Sequence, residues 1–144
     1  MAVRPPTASL TLGLDVEAAP DVVWDLLVRL AEWPTWGPTV RGARLDDGGD
    51  VLTAGATGRV RTVAGPELPF RVEDWVPDGA VRHWSWRVAG IPATGHTVRE
   101  RRSGCRVELS APWWASAYAP VLWLGLRRIR ARAEGRRAGA GTTG

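Results

Sequence analysis

The chain has no lysine in 144 residues, one cysteine, one methionine, one tyrosine, one phenylalanine and two histidines. Each shortage excludes a class of function. A lone Cys105 rules out a disulfide framework and reads as a buried apolar thiol in a strand. Histidines at 83 and 96 with one cysteine offer no metal-ligand spacing. Without lysine, Gly55-Ala-Thr-Gly58 cannot be a P-loop, and no Gly-x-Ser-x-Gly elbow occurs, so the expectation is a protein working without metal or cofactor. The glycine-rich stretches are turns. The uncharged run after Pro112, Trp113 to Leu126, would reach roughly 21 Å as a helix, short of the ~30 Å hydrocarbon layer. The N-terminus lacks the hydrophobic core of a signal peptide, which leads us to expect an unexported, cytoplasmic protein.

Arginine is abundant instead, 19 residues against 15 acids, for a formal charge of +4. Six of them (Arg127, Arg128, Arg130, Arg132, Arg136 and Arg137) follow Leu126 with only Glu134 against them, which leaves the body close to neutral. A phosphate-tracking groove needs a basic face on the folded domain. Here the excess lies in one terminal segment, where it complements a helix C-terminus, so nucleic acid is not an expected partner.

The chain is long enough for one domain with a real core. Leu10, Leu12, Leu14 and Val16 alternate with polar residues and glycine, the period of a strand with one buried face. Pro20 and Asp21 open a helix ending near Glu32, and Trp33-Pro-Thr-Trp-Gly-Pro reads as a tight turn or very short helix whose tryptophans plug the core. Six short strands follow, Val40–Leu45, Thr57–Ala64, Pro69–Val76, Val81–Ala89, Thr94–Arg101 and Cys105–Ala111, separated by Gly, Pro and Asp turns. Ser110 and Pro112 then predict the start of a long helix, with Ala115, Tyr118, Leu122, Leu126, Ile129 and Ala133 on one face. Strands without βαβ alternation imply an α+β fold, in which a curved antiparallel sheet of seven strands grips the last helix. The domain should span 8–134, with residues 1–7 and the Gly, Arg, Ala and Thr tail from 135 disordered.

At this level the chain resembles a known superfamily. Ala18-Ala-Pro-Asp-Val-Val-Trp-Asp-Leu-Leu followed by Glu32-Trp-Pro-Thr-Trp-Gly-Pro is similar to the opening of START-related proteins. Gly58 opening a strand, Trp84 and Trp86 in the strand from Arg82 to Arg87, Gly95-His96 and Gly104-Cys-Arg-Val fit the same pattern, which covers about Ser9 to Ala133. The resemblance implies a helix-grip fold with one cavity between sheet and helix. It also implies a hydrophobic ligand, since the superfamily includes polyketide cyclases and lipid carriers.

Strand alternation places Arg82, Trp84, Trp86 and Val88 on one side, which we assign to the cavity because flat indoles suit an aromatic guest. They would serve equally to fill the core. His96 and Val98 share a side, as do Val60 and Thr62, while Tyr118 and Leu122 face the cavity from the helix. Asp74 falls on the inward side unless a bulge turns it out, and if buried it needs a partner such as Arg82 or Arg59. The expectation is therefore a ligand site of Trp84, Trp86, Thr62, Val60, Val98, Tyr118, Leu122, Asp74 and Arg82. His96 and Tyr118 are its proton-handling groups if it is a cyclase. Cyclases of the superfamily use Arg, Tyr, Asn or Ser around the cavity; the inward set here is mostly aromatic and aliphatic. Trp113, Trp114 and Trp123 lie on different sides of the helix and cannot all point inward. An exposed apolar patch beside six arginines would suit an acidic membrane surface or a partner subunit.

Overall fold

The computed structural model describes residues 9–141, and side chains through residue 136. Strand β1 (Ser9–Val16) leads into α1 (Pro20–Val28), a 3-10 turn (Leu30–Glu32) and the one-turn helix α2 (Trp33–Trp36). Strands β2 (Val40–Leu45), β3 (Thr57–Thr62), β4 (Glu67–Val76), β5 (Val81–Val88), β6 (Ile91–Glu100) and β7 (Cys105–Pro112) follow. A second 3-10 segment (Trp113–Tyr118) and the long helix α3 (Ala119–Gly141) close the fold. The sheet is antiparallel throughout in the order β1-β7-β6-β5-β4-β3-β2, so β1 returns to pair with the last strand. Register breaks between Val72 and Trp75, and between Ser85 and Arg87, mark bulges that bend the sheet. The α+β, helix-grip architecture expected from the sequence is the one observed.

Alternation along each strand sorts side chains to the two faces. On β7, Cys105, Val107, Leu109 and Ala111 are buried, while the residues between them are half-exposed. They face Leu122, Leu126, Ile129 and Ala133 of α3, all buried, at about 1.5–3 kcal/mol per large aliphatic side chain removed from water. Burial also pushes the Cys105 thiol up to about 11, consistent with an inert core residue. Helix α3 packs against β1, β7, α1 and α2, and the helical layer covers the concave face.

Three expectations need correction. The last helix does not begin at Pro112. Ser110 stays in β7, no side chain caps the 3-10 segment, and Ala115 is non-helical (φ −100, ψ 23). Pro120 supplies the reason: it has no N–H for an i→i−4 bond, and its ring conflicts with the carbonyl of Ser116, so regular helix starts only at Ala119. The first helix breaks at Arg29, whose neighbours turn outward to bond the loop after β2: Leu30 N–H donates to Asp50 O, and Leu52 N–H to Val28 O. The segment from 135 is helical to Gly141 rather than disordered. Arg136 reaches back to Asp25 (3.0 Å) and Glu32 (2.8 Å), and Arg132 to Glu32 (3.1 Å), so ion pairs with the first helical region hold a turn that composition alone would not order. The expected disorder of 1–7 lies outside the described residues.

Candidate functional site

The concave face of β4 and β5 is paved with aromatic rings, and two of them come from the helical region before β2. Trp33 stacks on Trp84 (centroids 5.7 Å, 11°) and meets Phe70 and Trp86 at steeper angles. Its indole N–H donates to Leu27 O, and that of Trp36 donates to Leu26 O, which locks both rings against α1. The pair plugs one end of the space under α3, as expected.

His96 stands at the edge of this paving, stacked on Trp84 at 3.8 Å. It is 2% exposed, and its protonation follows from its neighbours. Nδ1 lies 3.2 Å from Trp84 O, which can only accept, so Nδ1 carries the hydrogen. Nε2 then accepts from the Thr94 hydroxyl at 3.2 Å, and Thr94 Oγ1 accepts the Trp86 indole N–H at 2.9 Å. This chain satisfies the neutral ring, and burial lowers the His96 pKa to about 3. Trp84 Nε1, by contrast, is buried with no acceptor among the described residues, a cost of about 1–3 kcal/mol.

Beyond the rings, the space between sheet and helix stays open. A small inner cavity of about 70 Å³ is lined by Trp36, Thr39, Trp84, His96, Tyr118 and Leu122, among others. An outer one of about 350 Å³ continues it past Thr39, Val40, Trp86, Thr94 and Tyr118, and adds Val60, Thr62, Val88 and Ala115. Tyr118 and Thr39 share a hydrogen bond of 2.8 Å where the two meet. The inner volume is room for about two waters. The outer reaches the lower end of the ~300–1,000 Å³ typical of ligand pockets.

Six of the sequence-predicted residues therefore line these two adjacent cavities: Trp84, Trp86, Val60, Thr62, Tyr118 and Leu122, with His96 at the inner wall. Three do not. Val98 is a buried core residue lining neither cavity. Arg82 faces inward but lies outside both cavities, its side chain 19% exposed and paired with Asp21 at the start of α1 (2.6 Å). The bulge after Val72 turns Asp74 to the outer face of the sheet, where it accepts from Ser85 Oγ at 2.8 Å. Sequence reasoning missed Thr94 and Thr39. The first was legible as the residue two before His96 on the same strand face; the second is a loop residue 79 positions from Tyr118, and nothing local signals it.

Among the described residues, no group of three His, Cys, Asp or Glu could hold a metal, and no helix is long and apolar enough to cross a membrane.

A bent antiparallel sheet closed by one long helix over an apolar cavity defines a helix-grip ligand-cavity domain. The chain belongs to the polyketide cyclase / dehydrase and lipid transport family, whose model matches residues 7–139. Its fold is shared by jhp0584, a hypothetical protein from Helicobacter pylori, at TM-score 0.73 with 12% identity over 92% of this chain and 96% of that one. XoxI from Bacillus cereus is similar at TM-score 0.63 and 17% identity, over 88% and 95% of the two chains. The di-domain ARO/CYC StfQ from the steffimycin biosynthetic pathway matches at TM-score 0.64 and 14% identity, over 90% of this chain and 51% of that one. No curated protein matches the sequence.

Proposed function

We propose that the protein binds a hydrophobic small molecule, aromatic or lipid-like, in the cavity between the sheet and α3. The carrying observation is that the inner and outer cavities lie side by side, share Tyr118, Thr39, Thr94 and Trp86, and are walled mainly by carbon, with a few hydroxyls to orient a guest. The family's description is in keeping with such a role. The neutral fluorophore N-phenyl-1-naphthylamine tests it. Saturable one-site binding is expected in the wild type, and Ala115→Trp, which fills the outer volume from the 3-10 segment, should remove it. Absent binding, or binding indifferent to that substitution, would refute the reading.

A cyclase-type reaction in the same cavity is the second reading, supported by the convergence of Tyr118, Thr39, Thr94 and His96 on one volume. In it Tyr118 donates a hydrogen bond to a ketone oxygen. His96 contributes orientation rather than proton storage, because a base with a pKa of about 3 holds protons poorly at neutral pH. Turnover of a linear polyketide mimic lost in Tyr118→Phe and in His96→Gln would support it; wild-type rates in both would end it.

The exposed apolar strip supports contact with an anionic membrane. Trp113 and Trp114 are 61% and 57% exposed. Trp123 and Leu124 stand one turn before Arg127 and Arg128, on the same helix face, and all four are exposed. Flotation with phosphatidylserine vesicles should fall when Trp113 and Trp123 are both replaced by Ser; unchanged flotation would remove this contact.

A further inference from the structure

Strands β6 and β7 splay apart at one end of the sheet. Strands β6 and β7 pair from Glu100–Cys105 to Gly95–Ser110 and no further. Past that point Pro92 and Ile91 pair only with β5, while Ala111 and Pro112 pair only with β1. Neither Pro92 nor Pro112 has an N–H to offer across the gap. The residues flanking it, Pro92, Ala93, Ala111 and Pro112, together with Trp86 and Trp114, line two cavities at once. One is the outer part of the ligand volume on the concave side. The other is a groove of about 440 Å³ on the convex side.

That second groove has a different chemistry. It is lined by Glu73, Asp74, His83, Ser85, Arg87 and Ser110, besides the shared strip. Glu73 pairs with Arg87 at 2.8 Å, Asp74 accepts from Ser85, and His83 Nδ1 bonds Thr97 Oγ1 at 2.8 Å. Ser110 differs: its hydroxyl is half-buried and makes no hydrogen bond within the described residues. Gly95 makes room for that hydroxyl, since a Cβ there would sit 2.5 Å from Ser110 Oγ and 3.2 Å from His83 Cε1. Gly95 and Ser110 are also the last paired residues before the gap.

We propose that the ligand is an amphiphile held through the sheet. Its apolar body occupies the interior cavity, and a neutral hydroxyl head passes between β6 and β7 to hydrogen-bond Ser110 Oγ in the convex groove. Glu73, paired with Arg87, and Asp74 leave the groove net acidic, which disfavours an anionic head, while a neutral hydroxyl needs no counter-charge there. Trp114, which lies on both cavities and is exposed, is the side chain that must swing for the head to pass. This inference rests on the interior cavity being a ligand site.

Decan-1-ol and 1-methoxydecane, matched in apolar length but differing in the donor, are the probes, each measured by displacement of N-phenyl-1-naphthylamine. The alcohol should bind roughly five- to tenfold tighter than the ether, and only the alcohol should shift the Gly95 and Ser110 amide resonances. Ser110→Ala and Ala93→Leu, which narrows the gap, should each bring the alcohol and the ether to equal affinity. Equal affinities in the wild type, a preference that survives both substitutions, or failure of both probes while the fluorophore binds would overturn the through-sheet site alone. Failure of the fluorophore itself would instead overturn the cavity, and this inference with it.

Discussion

Acidification should destabilise the protein through His96. The ring donates to Trp84 O, accepts from Thr94 and stacks on Trp84 with almost no exposure. A second proton would sit on Nε2, taking away the acceptor of the Thr94 hydroxyl hydrogen and placing a charge where almost no water reaches. Burial lowers the pKa from 6.5 to about 3. Between those limits the unfolded chain binds a proton that the folded chain refuses, so stability is full above pH 6.5 and declines as pH falls toward 3. At ~1.4 kcal/mol per unit, the loss from pH 6.5 to about 4.5 is on the order of 3 kcal/mol, a large share of a typical domain's ~5–15 kcal/mol. Burial also lowers the pKa of His83, which adds a smaller loss in the same direction. His96→Gln keeps a donor and an acceptor but cannot titrate, so the His83 contribution cancels in the comparison. Urea melts at pH 7, 6, 5 and 4.5 should show the wild type losing stability steeply while His96→Gln loses much less. Parallel profiles for the two proteins would refute the argument.

Tyr118→Phe removes the hydrogen bond to Thr39 and should lower stability by about 1 kcal/mol in urea melts, leaving the apolar wall that a fluorophore contacts. Trp84→Ala deletes the ring shared by Trp33, Trp86 and His96. It should cost about 3–5 kcal/mol, more than the unpaired indole N–H gives back, and thermal denaturation would show it. Arg136→Ala breaks the pairs with Asp25 and Glu32. Since these are surface pairs, the global effect should stay within about 1 kcal/mol, but amide exchange in the last turns of α3 should speed up. Pro120→Ala should let helix extend back toward Trp113, seen as a rise in helical circular dichroism.

The sequence by itself determined the architecture: alternation along seven segments, breakers between them and one long helical stripe leave a single way to bury the apolar faces. Alternation also grouped Arg82, Trp84 and Trp86 of β5, and His96 and Val98 of β6, each on one side of its strand, but which side faces inward was an assignment made from the indoles. Asp74 escaped this logic because one extra residue in a bulge inverts everything after it, and bulges carry no reliable local signature. Tertiary structure alone decided where the volume stayed open. Trp33 and Trp36, anchored to α1 carbonyls, fill one end, while Thr39 meets Tyr118 across 79 residues at the other. Tertiary structure also set the acidity of His96 and parted β6 from β7. Such features depend on which distant surfaces meet and how much water they exclude, and residue order along the chain does not encode those distances locally.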